Sequence, residues 1–332
     1  MVLNTKKISI IGGAGFVGSR LADLFDRHSL NYLICDINIK DRSDKITYLD
    51  VEDQNSLEKL EGSTVIINLA AVHRDDARPI SRYDDVNVKG AVNVCNAARK
   101  LNIRKIVFTS SVAIYGFAPI NTDEAGKPNF FNDYGRTKYL AEGVYKKWQA
   151  EDPLNRTLVI IRPTVIFGEG NRGNVYNLLN QIASRKFVMF GNGKNRKSMA
   201  YVENVAAFIR CSLSLGSGVH VYNYIDKPDF DMNTLVSVSR KILFNKNNVG
   251  LRLPGFFGIF IGYLADIAAK ALKRSLPVSS IRVKKFMATS QFASSVSDTR
   301  FIPKISLQDG LEKTLRYEFI EDNSDKRTFD TE

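Results

Sequence analysis

The stretch ISIIGGAGFVGSRLADLF, residues 8–25, places three glycines, Gly12, Gly15 and Gly18, at a spacing of three inside an apolar run. Glycine weakens regular structure by about 0.5–1 kcal/mol relative to alanine, so its repeated use marks backbone that must turn tightly or come close to something. The preceding KISII reads as a buried strand, and the residues from about Phe16 to Arg27 read as a helix. A strand, a glycine turn and a helix N-terminus together suit a pyrophosphate. The first glycine permits the turn, the second lets backbone approach the anion, and the third lets helix and strand pack closely. The spacing is G-x-x-G-x-x-G rather than G-x-G-x-x-G, so the turn by itself is weak evidence.

Support comes from the next strand-like run, which ends in YLICDIN with Asp36. A carboxylate there accepts hydrogen bonds from the adenosine ribose hydroxyls and repels a 2′-phosphate, so the pairing predicts NAD. Lys40 and Arg42 lie nearby in sequence and keep NADP open.

Outward from this unit, apolar runs of strand length recur at 7–11, 31–36, 64–70, 105–110 and 157–162, with helix-like segments between most of them. That alternation predicts an α/β fold, a doubly wound parallel sheet of Rossmann type. The segment 83–102 sets Val86, Gly90, Val94 and Ala97 or Ala98 at helical spacing, so it should pack on the sheet. Past about residue 165 the pattern loosens into Gly- and Asn-rich loops, a helix near 174–186 and a late strand at 219–225. The expected division is an NAD-binding domain over 1–168 and a smaller C-terminal substrate lobe over 169–320, some of whose segments return to the main sheet. Residues 321–332 read as a mobile tail.

With 332 residues the chain can bury a substantial core. Its 47 Lys and Arg against 35 Asp and Glu give a net charge of +12, which attracts phosphates or anionic surfaces. The basic residues are scattered. The densest runs, 193–197 and 282–285, lack the interleaved aromatics of single-strand binders, which argues against nucleic acid. Cys35, Cys95 and Cys211 have no metal-ligand spacing and read as reduced core residues. No metal is expected. MVLNTKK leads straight into a strand rather than a leader sequence, so a cytoplasmic protein is expected.

The segment DYGRTKYLAE contains Tyr134 and Lys138. A helix puts positions i and i+4 on one face, about 5–6 Å apart, where an ammonium lowers the pKa of a phenol toward the range of a general base. Earlier in the chain, IVFTSSVAIYG ends a strand in Ser110 and Ser111, where a hydroxyl can meet a substrate alcohol. These are parts for moving a proton while a nicotinamide moves a hydride.

The chain resembles an extended short-chain dehydrogenase/reductase of the nucleotide-sugar epimerase/dehydratase group, of the UDP-glucose 4-epimerase type. The resemblance runs from about residue 7 to 316. It rests on GGAGFVG, Asp36, YLDVED (48–53), NLAA (68–71), VNVKG (86–90), SSVAIYG, Tyr134-Gly-Arg-Thr-Lys138, IIRPTVIFGEG (160–170), NRKSMAYVENVA (195–206) and ISLQDGLEKTL (305–315). It implies that Ser111 hydrogen-bonds the sugar hydroxyl, that Tyr134 is the acid/base, and that Lys138 holds the nicotinamide ribose. It further implies that Gly12, Gly15, Phe16, Val17 and Gly18 cradle the pyrophosphate, that Asp50 and Val51 border the adenine, and that Leu69, Ala70 and Ala71 line the pyrophosphate path. Asn87 and Pro163 support the cofactor site. Asn174, Arg196 and Lys197 face the diphosphate of a nucleotide sugar, and the chain pairs as a homodimer.

Dehydratases of the group carry an Asp-Glu pair directly after the strand hydroxyl, and decarboxylases carry a glutamate two residues past it. Here Val112 and Ala113 stand in those places and can do neither job. Hydride chemistry at one carbon remains. The first reading is an NAD-dependent 4-epimerase of a UDP-hexose or UDP-N-acetylhexosamine in polysaccharide sugar synthesis. The alternatives are an NAD(P)H-dependent 4-keto-6-deoxy nucleotide-sugar reductase and a non-catalytic dinucleotide sensor. Three departures bear on the choice: Val165 replaces an asparagine that contacts the diphosphate in many members, Lys197 replaces an arginine, and Ser198 an aspartate. They resemble a bacterial polysaccharide-associated subgroup with ketoreductase members.

His73 has no second His or Cys nearby and reads as a loop residue, and Trp148 reads as core. The apolar segment 253–274 is interrupted by Asp266 after about a dozen residues, too short to span a bilayer. It reads as a packed helix of the small lobe, with weak membrane-surface association as the other reading.

Overall fold

A computed structural model describes residues 7–39, 44–74, 77–272 and 280–330. Strands β1 (Lys7–Ile11), β2 (Tyr32–Asp36), β3 (Ile46–Tyr48), β4 (Ser63–Asn68), β5 (Lys105–Thr109) and β6 (Thr157–Pro163) come first in the chain. They are followed by β7 (Val165–Phe167), β8 (Met189–Phe190) and β9 (Arg196–Tyr201), and then by β10 (Gly218–Tyr224), β11 (Asp226–Asp231) and β12 (Arg252–Leu253). The main sheet has seven parallel strands in the order β10-β6-β5-β4-β1-β2-β3. β10 thus crosses back from the second lobe to the sheet edge, where Val221 pairs with Ile160.

Alternation of side chains along each strand builds two cores. Ile8, Ile10, Val65, Ile67, Val107, Val159 and Ile161 face one way, with Leu21 and Phe25 of α1 (Phe16–Arg27) and with buried residues from 202–212. Ile11, Ile66, Ile106, Phe108, Leu158 and Ile160 face the other. There they meet a long helical run, α2 (Ser81–Tyr83) continuing through a π-helical turn at Asp84–Lys89 into α3 (Gly90–Lys100), together with α4 (Asp133–Ala150). Both faces are covered, as the sequence predicts. Gly90, Val94, Ala97 and Ala98 are buried, and Trp148 is fully so.

The second lobe has its own core around Phe167, Leu179, Met199, Tyr201, Phe230, Leu235 and Leu311. It is built from α5 (Asn174–Ala183), α6 (Val202–Ser212), α7 (Met232–Phe244), α8 (Gly255–Leu272), α9 (Ser280–Met287) and α10 (Leu307–Phe319), with α6 also packing on α1. A three-stranded sheet, β11-β9-β7, and the pair β12-β8 complete it. Because β7 starts two residues after β6 ends, the two lobes meet at the C-terminal ends of the main strands. The order of strands reverses between β1 and β4, and it is at such a switch point that an open α/β sheet binds its ligand. Cys35 and Cys95 are buried, whereas Cys211 is only half-buried; all three are free.

Candidate active site

The glycine turn leaves β1 with Gly12 at φ +74°, and a Cβ there would lie 2.7 Å from the backbone nitrogen of Ala70. The turn therefore sits against the exit of β4, where the Leu69 N–H donates to the Ile11 carbonyl at 2.8 Å and the Ala70 N–H to Asn68 Oδ1 at 3.0 Å. A Cβ on Gly18 would come within 2.5 Å of Gly13, so α1 packs on its own approach only as glycine. Gly15 caps α1 without a side-chain hydrogen bond, and the first-turn amides of Phe16, Val17 and Gly18 are thus left to an anion. Asp36, at the end of β2, accepts from Ala14 N at 2.9 Å and from Asn38 N at 2.8 Å. Lys40 and Arg42 lie outside the described residues. Asp50 and Val51 follow β3, and Val51 is seated on Gly90, where a Cβ would approach it to 2.8 Å. Ala71 follows β4, and Pro163 is the buried last residue of β6. The residues expected around the cofactor thus collect along one edge of the sheet. Ser110 Oγ, beside them at the end of β5, is buried with no hydrogen-bond partner among the described residues, a donor or acceptor left for a ligand. These features fit NAD.

Ser111 stands one residue past Ser110 and caps the 3-10 turn Val112–Tyr115, its Oγ accepting from Ala113 N at 3.1 Å. The first turn of α4 reaches this point because Gly135 has no side chain; a Cβ there would lie 2.5 Å from the Ala113 carbonyl. Asn132 fixes that turn by accepting from Gly135 N at 2.9 Å. Tyr134, half-buried, is then brought beside Ser111, whose hydroxyl favours the ionised phenol. Lys138, one turn on, is buried with its Nζ 4.5 Å from the centroid of Phe108. The expected lowering of the phenol is not found. Burial pushes Tyr134 up to about 12 against the opposing pull of Ser111, and burial also pushes Lys138 down to about 7 against the charge of Glu142. Desolvation is the larger influence on each, opposed by Ser111 at the phenol and by Glu142 at the amine.

Two supports were not read from the sequence alone. Asn87 is buried in the π-helical turn, where its Oδ1 accepts from Val72 N at 2.9 Å and its Nδ2 donates to Val72 O and Thr137 Oγ1, both at 3.0 Å. It thereby ties the Leu69–Ala71 strand exit to α4; the resemblance had implied its support, but not these partners. Glu142, a further turn beyond Lys138, holds Arg162 of β6 through two hydrogen bonds of 2.8 and 2.6 Å. Arg162 also donates to Tyr115 Oη at 2.6 Å, and Tyr115 donates to Asn223 of β10 at 2.9 Å. This buried network clamps α4, the Ser111 turn and the sheet edge together. Its sequence signals were Glu142 at i+8 from Tyr134 and a lone arginine inside an apolar strand.

The expected diphosphate residues lie on the second lobe. Asn174 opens α5 and is exposed. Arg196 and Lys197 open β9, Arg196 exposed and Lys197 half-buried, with burial holding Lys197 down to about 8. Val165 pairs with Met199 along the same sheet. Ser198, buried, donates to Asp229 Oδ1 at 2.7 Å, so a carboxylate from β11 neighbours the place where one was missing. His73 is exposed in the loop after β4.

The C-terminal segment, read from composition as mobile, lies against the glycine turn. Phe329 N donates to Gly170 O and Arg172 N to Phe329 O, each at 2.8 Å. The Phe329 ring sits 5.7 Å from that of Phe16, and Arg327 donates to the Ala14 carbonyl at 2.8 Å. A phenylalanine and an arginine spaced by two in a polar tail gave too little signal to place it.

A dinucleotide turn beside a serine, a tyrosine and a lysine defines a nicotinamide-dependent enzyme. Residues 8–224 match the model of the NAD dependent epimerase/dehydratase family, and the chain belongs to that family. It is 46% identical, over 98% of its length and 99% of the relative's, to the N-acetyl-alpha-D-glucosaminyl-diphospho-ditrans,octacis-undecaprenol 4-epimerase of Escherichia coli O157:H7. Its fold matches the UDP-glucose 4-epimerase of Thermotoga maritima with a TM-score of 0.73 at 19% identity, covering 94% of this chain and 98% of that one. It matches the UDP-N-acetylglucosamine 4-epimerase of Methanobrevibacter ruminantium M1 equally well, with a TM-score of 0.73 at 19% identity over 95% and 98% of the two chains. NAD is the cofactor.

Proposed function

We propose that the protein is an NAD-dependent 4-epimerase of a hexose or N-acetylhexosamine carried on a diphosphate. The observation that carries this is the Ser111–Tyr134–Lys138 relay with Val112 and Ala113, which hold no further acid or base, in the next two places. Bound NAD supplies a hydride acceptor and donor. Ser111 orients the C4 hydroxyl, Tyr134 Oη takes its proton as the 4-keto sugar forms, and the same phenol returns it after the sugar has presented its other face. Lys138 keeps a cation within reach of the phenol. Arg196 and Lys197 hold the diphosphate, with Asn174 beside them, and the sugar can turn while its anchor stays fixed.

The carrier expected from the sequence is a nucleotide. A polyprenyl carrier is favoured by the name of the 46% identical relative and by Val165, which cannot make the usual polar contact to a nucleotide diphosphate. Two copies pair through the outer faces of α3 and α4, where Val92, Tyr139 and Leu140 are exposed. The reduced state of the three cysteines suits the cytoplasm.

The test is to incubate the purified protein, without added cofactor, with UDP-hexoses, UDP-N-acetylhexosamines and a short-chain polyprenyl-diphosphate N-acetylglucosamine in detergent. C4 inversion of any of these is expected, and the substrate that inverts identifies the carrier. Reduction of a 4-keto-6-deoxy nucleotide sugar at the expense of added NAD(P)H, with no inversion, would replace the epimerase by the reductase.

A further inference from the structure

Helix α8 buries two of its three glycines and exposes its aromatics. Gly258 and Gly262 are buried, and a Cβ on Gly258 would lie 2.8 Å from Phe190 and 3.1 Å from Val283. Outward face Phe256 (65% exposed), Phe260 (59%) and Ile267 (66%), with Phe257, Tyr263 and Leu264 also exposed. Positions 256, 260, 263, 264 and 267 recur at helical spacing, so they form one continuous stripe. The expected packed helix of the small lobe is therefore packed on one side only. No helix among the described residues is long and apolar enough to cross a membrane.

The sequence that follows the stripe is basic. From 270 to 285 the sequence carries Lys270, Lys273, Arg274, Arg282, Lys284 and Lys285 with no acidic residue. Lys284, on α9, donates to Tyr263 Oη at 3.2 Å and so adjoins the aromatic face. An apolar stripe met by Lys284 and followed in sequence by further basic residues matches a bilayer with anionic headgroups, with its apolar interior below and negative charge at its surface.

The same element leads to the active site. Asn195 donates to the Phe286 carbonyl at 2.8 Å, and just past α9 Ser290 pairs with β9, donating to Arg196 O at 2.9 Å and accepting from Ser198 N at 2.8 Å. Continuing, Asn121 N donates to Gln291 O at 2.8 Å and Ala293 N to Thr122 O at 3.0 Å. That holds the loop between Ser111 and Tyr134, in which Phe117, Ile120, Phe130 and Phe131 are exposed and Phe117 stacks on Phe131 at 5.3 Å. A second apolar surface at the mouth of the relay is thus joined to α8 through the strand that carries the diphosphate cations.

We infer that α8 docks on an anionic bilayer and that the 117–131 loop meets the lipid chain of the substrate, so that a diphosphate-linked sugar swings from the membrane surface to Arg196, Lys197 and Tyr134. This rests on the polyprenyl-carrier form of the proposed function. A second copy of the chain is the competing occupant of α8.

The experiment is flotation of the whole protein with vesicles of phosphatidylglycerol and phosphatidylcholine, compared with phosphatidylcholine alone, for wild type and for Phe256→Ser/Phe260→Ser/Ile267→Ser. Wild type should float with the anionic vesicles, lose most of that binding in 1 M salt, where the Debye length shrinks to about 3 Å, and bind neutral vesicles at least tenfold less. The triple variant should bind anionic vesicles at least tenfold less, while inverting a detergent-dispersed lipid-linked sugar at the wild-type rate. Absence of wild-type flotation, equal flotation of the variant, or a fall in the variant's mass by light scattering with vesicle binding intact would each overturn the docking proposal. Inversion in detergent is read separately, so failure of docking and failure of the epimerase reading are distinguishable.

Discussion

In its proposed role Tyr134 gives up a proton, yet burial, opposed by Ser111, holds it near 12 while the neighbouring amine is held near 7. In the cofactor-free protein the phenol therefore keeps its proton at neutral pH, and the amine is close to its titration midpoint. Tyr134→Phe should lower kcat by about 10²–10⁴-fold, the usual range for a lost general acid/base, while NAD stays bound; unchanged turnover would remove the phenol from the mechanism. Lys138 gives a pH prediction. Its folded pKa, about 7, lies below the value of 10.5 that it has when solvated. Between those values the unfolded chain binds a proton that the folded chain does not, so this lysine makes stability climb as pH rises through that window. Lys138→Met should flatten the rise in Tm of the cofactor-stripped protein between pH 7 and 10 relative to wild type. It should also raise Tm at pH 7, because it removes a buried amine on the order of 1–4 kcal/mol short of its solvated stability. Parallel Tm curves would show that the amine is not desolvated as described.

Among elements, the docked C-terminal segment acts on α1. Phe329 supports Phe16, the first residue of the helix whose first-turn amides are proposed to meet the pyrophosphate, and Arg327 holds the carbonyl of Ala14 in the turn before it. Phe329→Ala should loosen that turn and lower stability by about 1 kcal/mol, less than a full core truncation because the ring is partly exposed. Its signature is faster loss of NAD on gel filtration, followed by the 260/280 nm ratio of the protein peak; equal retention would make the contact incidental. Such contacts were the least legible in the sequence. The glycine turn and the Tyr134–Lys138 pair could be read because their function lies in local spacing, which a strand-turn-helix or one helix face fixes. β3, with three residues, was too short to show a period, and the Glu142–Arg162 clamp joins residues from two elements whose approach no local pattern states. The α8 run misled in another way. An apolar helix reads as buried, and only the placement of its neighbours shows which side is left bare.

At the scale of the whole molecule, β6 is covered on its outer edge by β10, which the chain supplies only after five elements of the second lobe. A fragment of residues 1–168 would leave TLVIIRP, buried along its whole length in the intact protein, as an open edge strand. It should be recovered mainly in the insoluble fraction, and co-expression with residues 169–332 should raise its soluble yield. A soluble, cooperatively melting 1–168 fragment would show that the first lobe closes its own sheet. The consequence reaches into how such a protein can acquire new substrates. A recombination event at the lobe boundary would carry the edge strand of one parent onto the sheet of the other, and every register pair from Gly218–Thr157 to Tyr224–Pro163 would have to match at once. Specificity in this architecture is therefore expected to drift by substitutions around 165–201, within one lineage, rather than to arrive by the transplanting of a ready-made lobe.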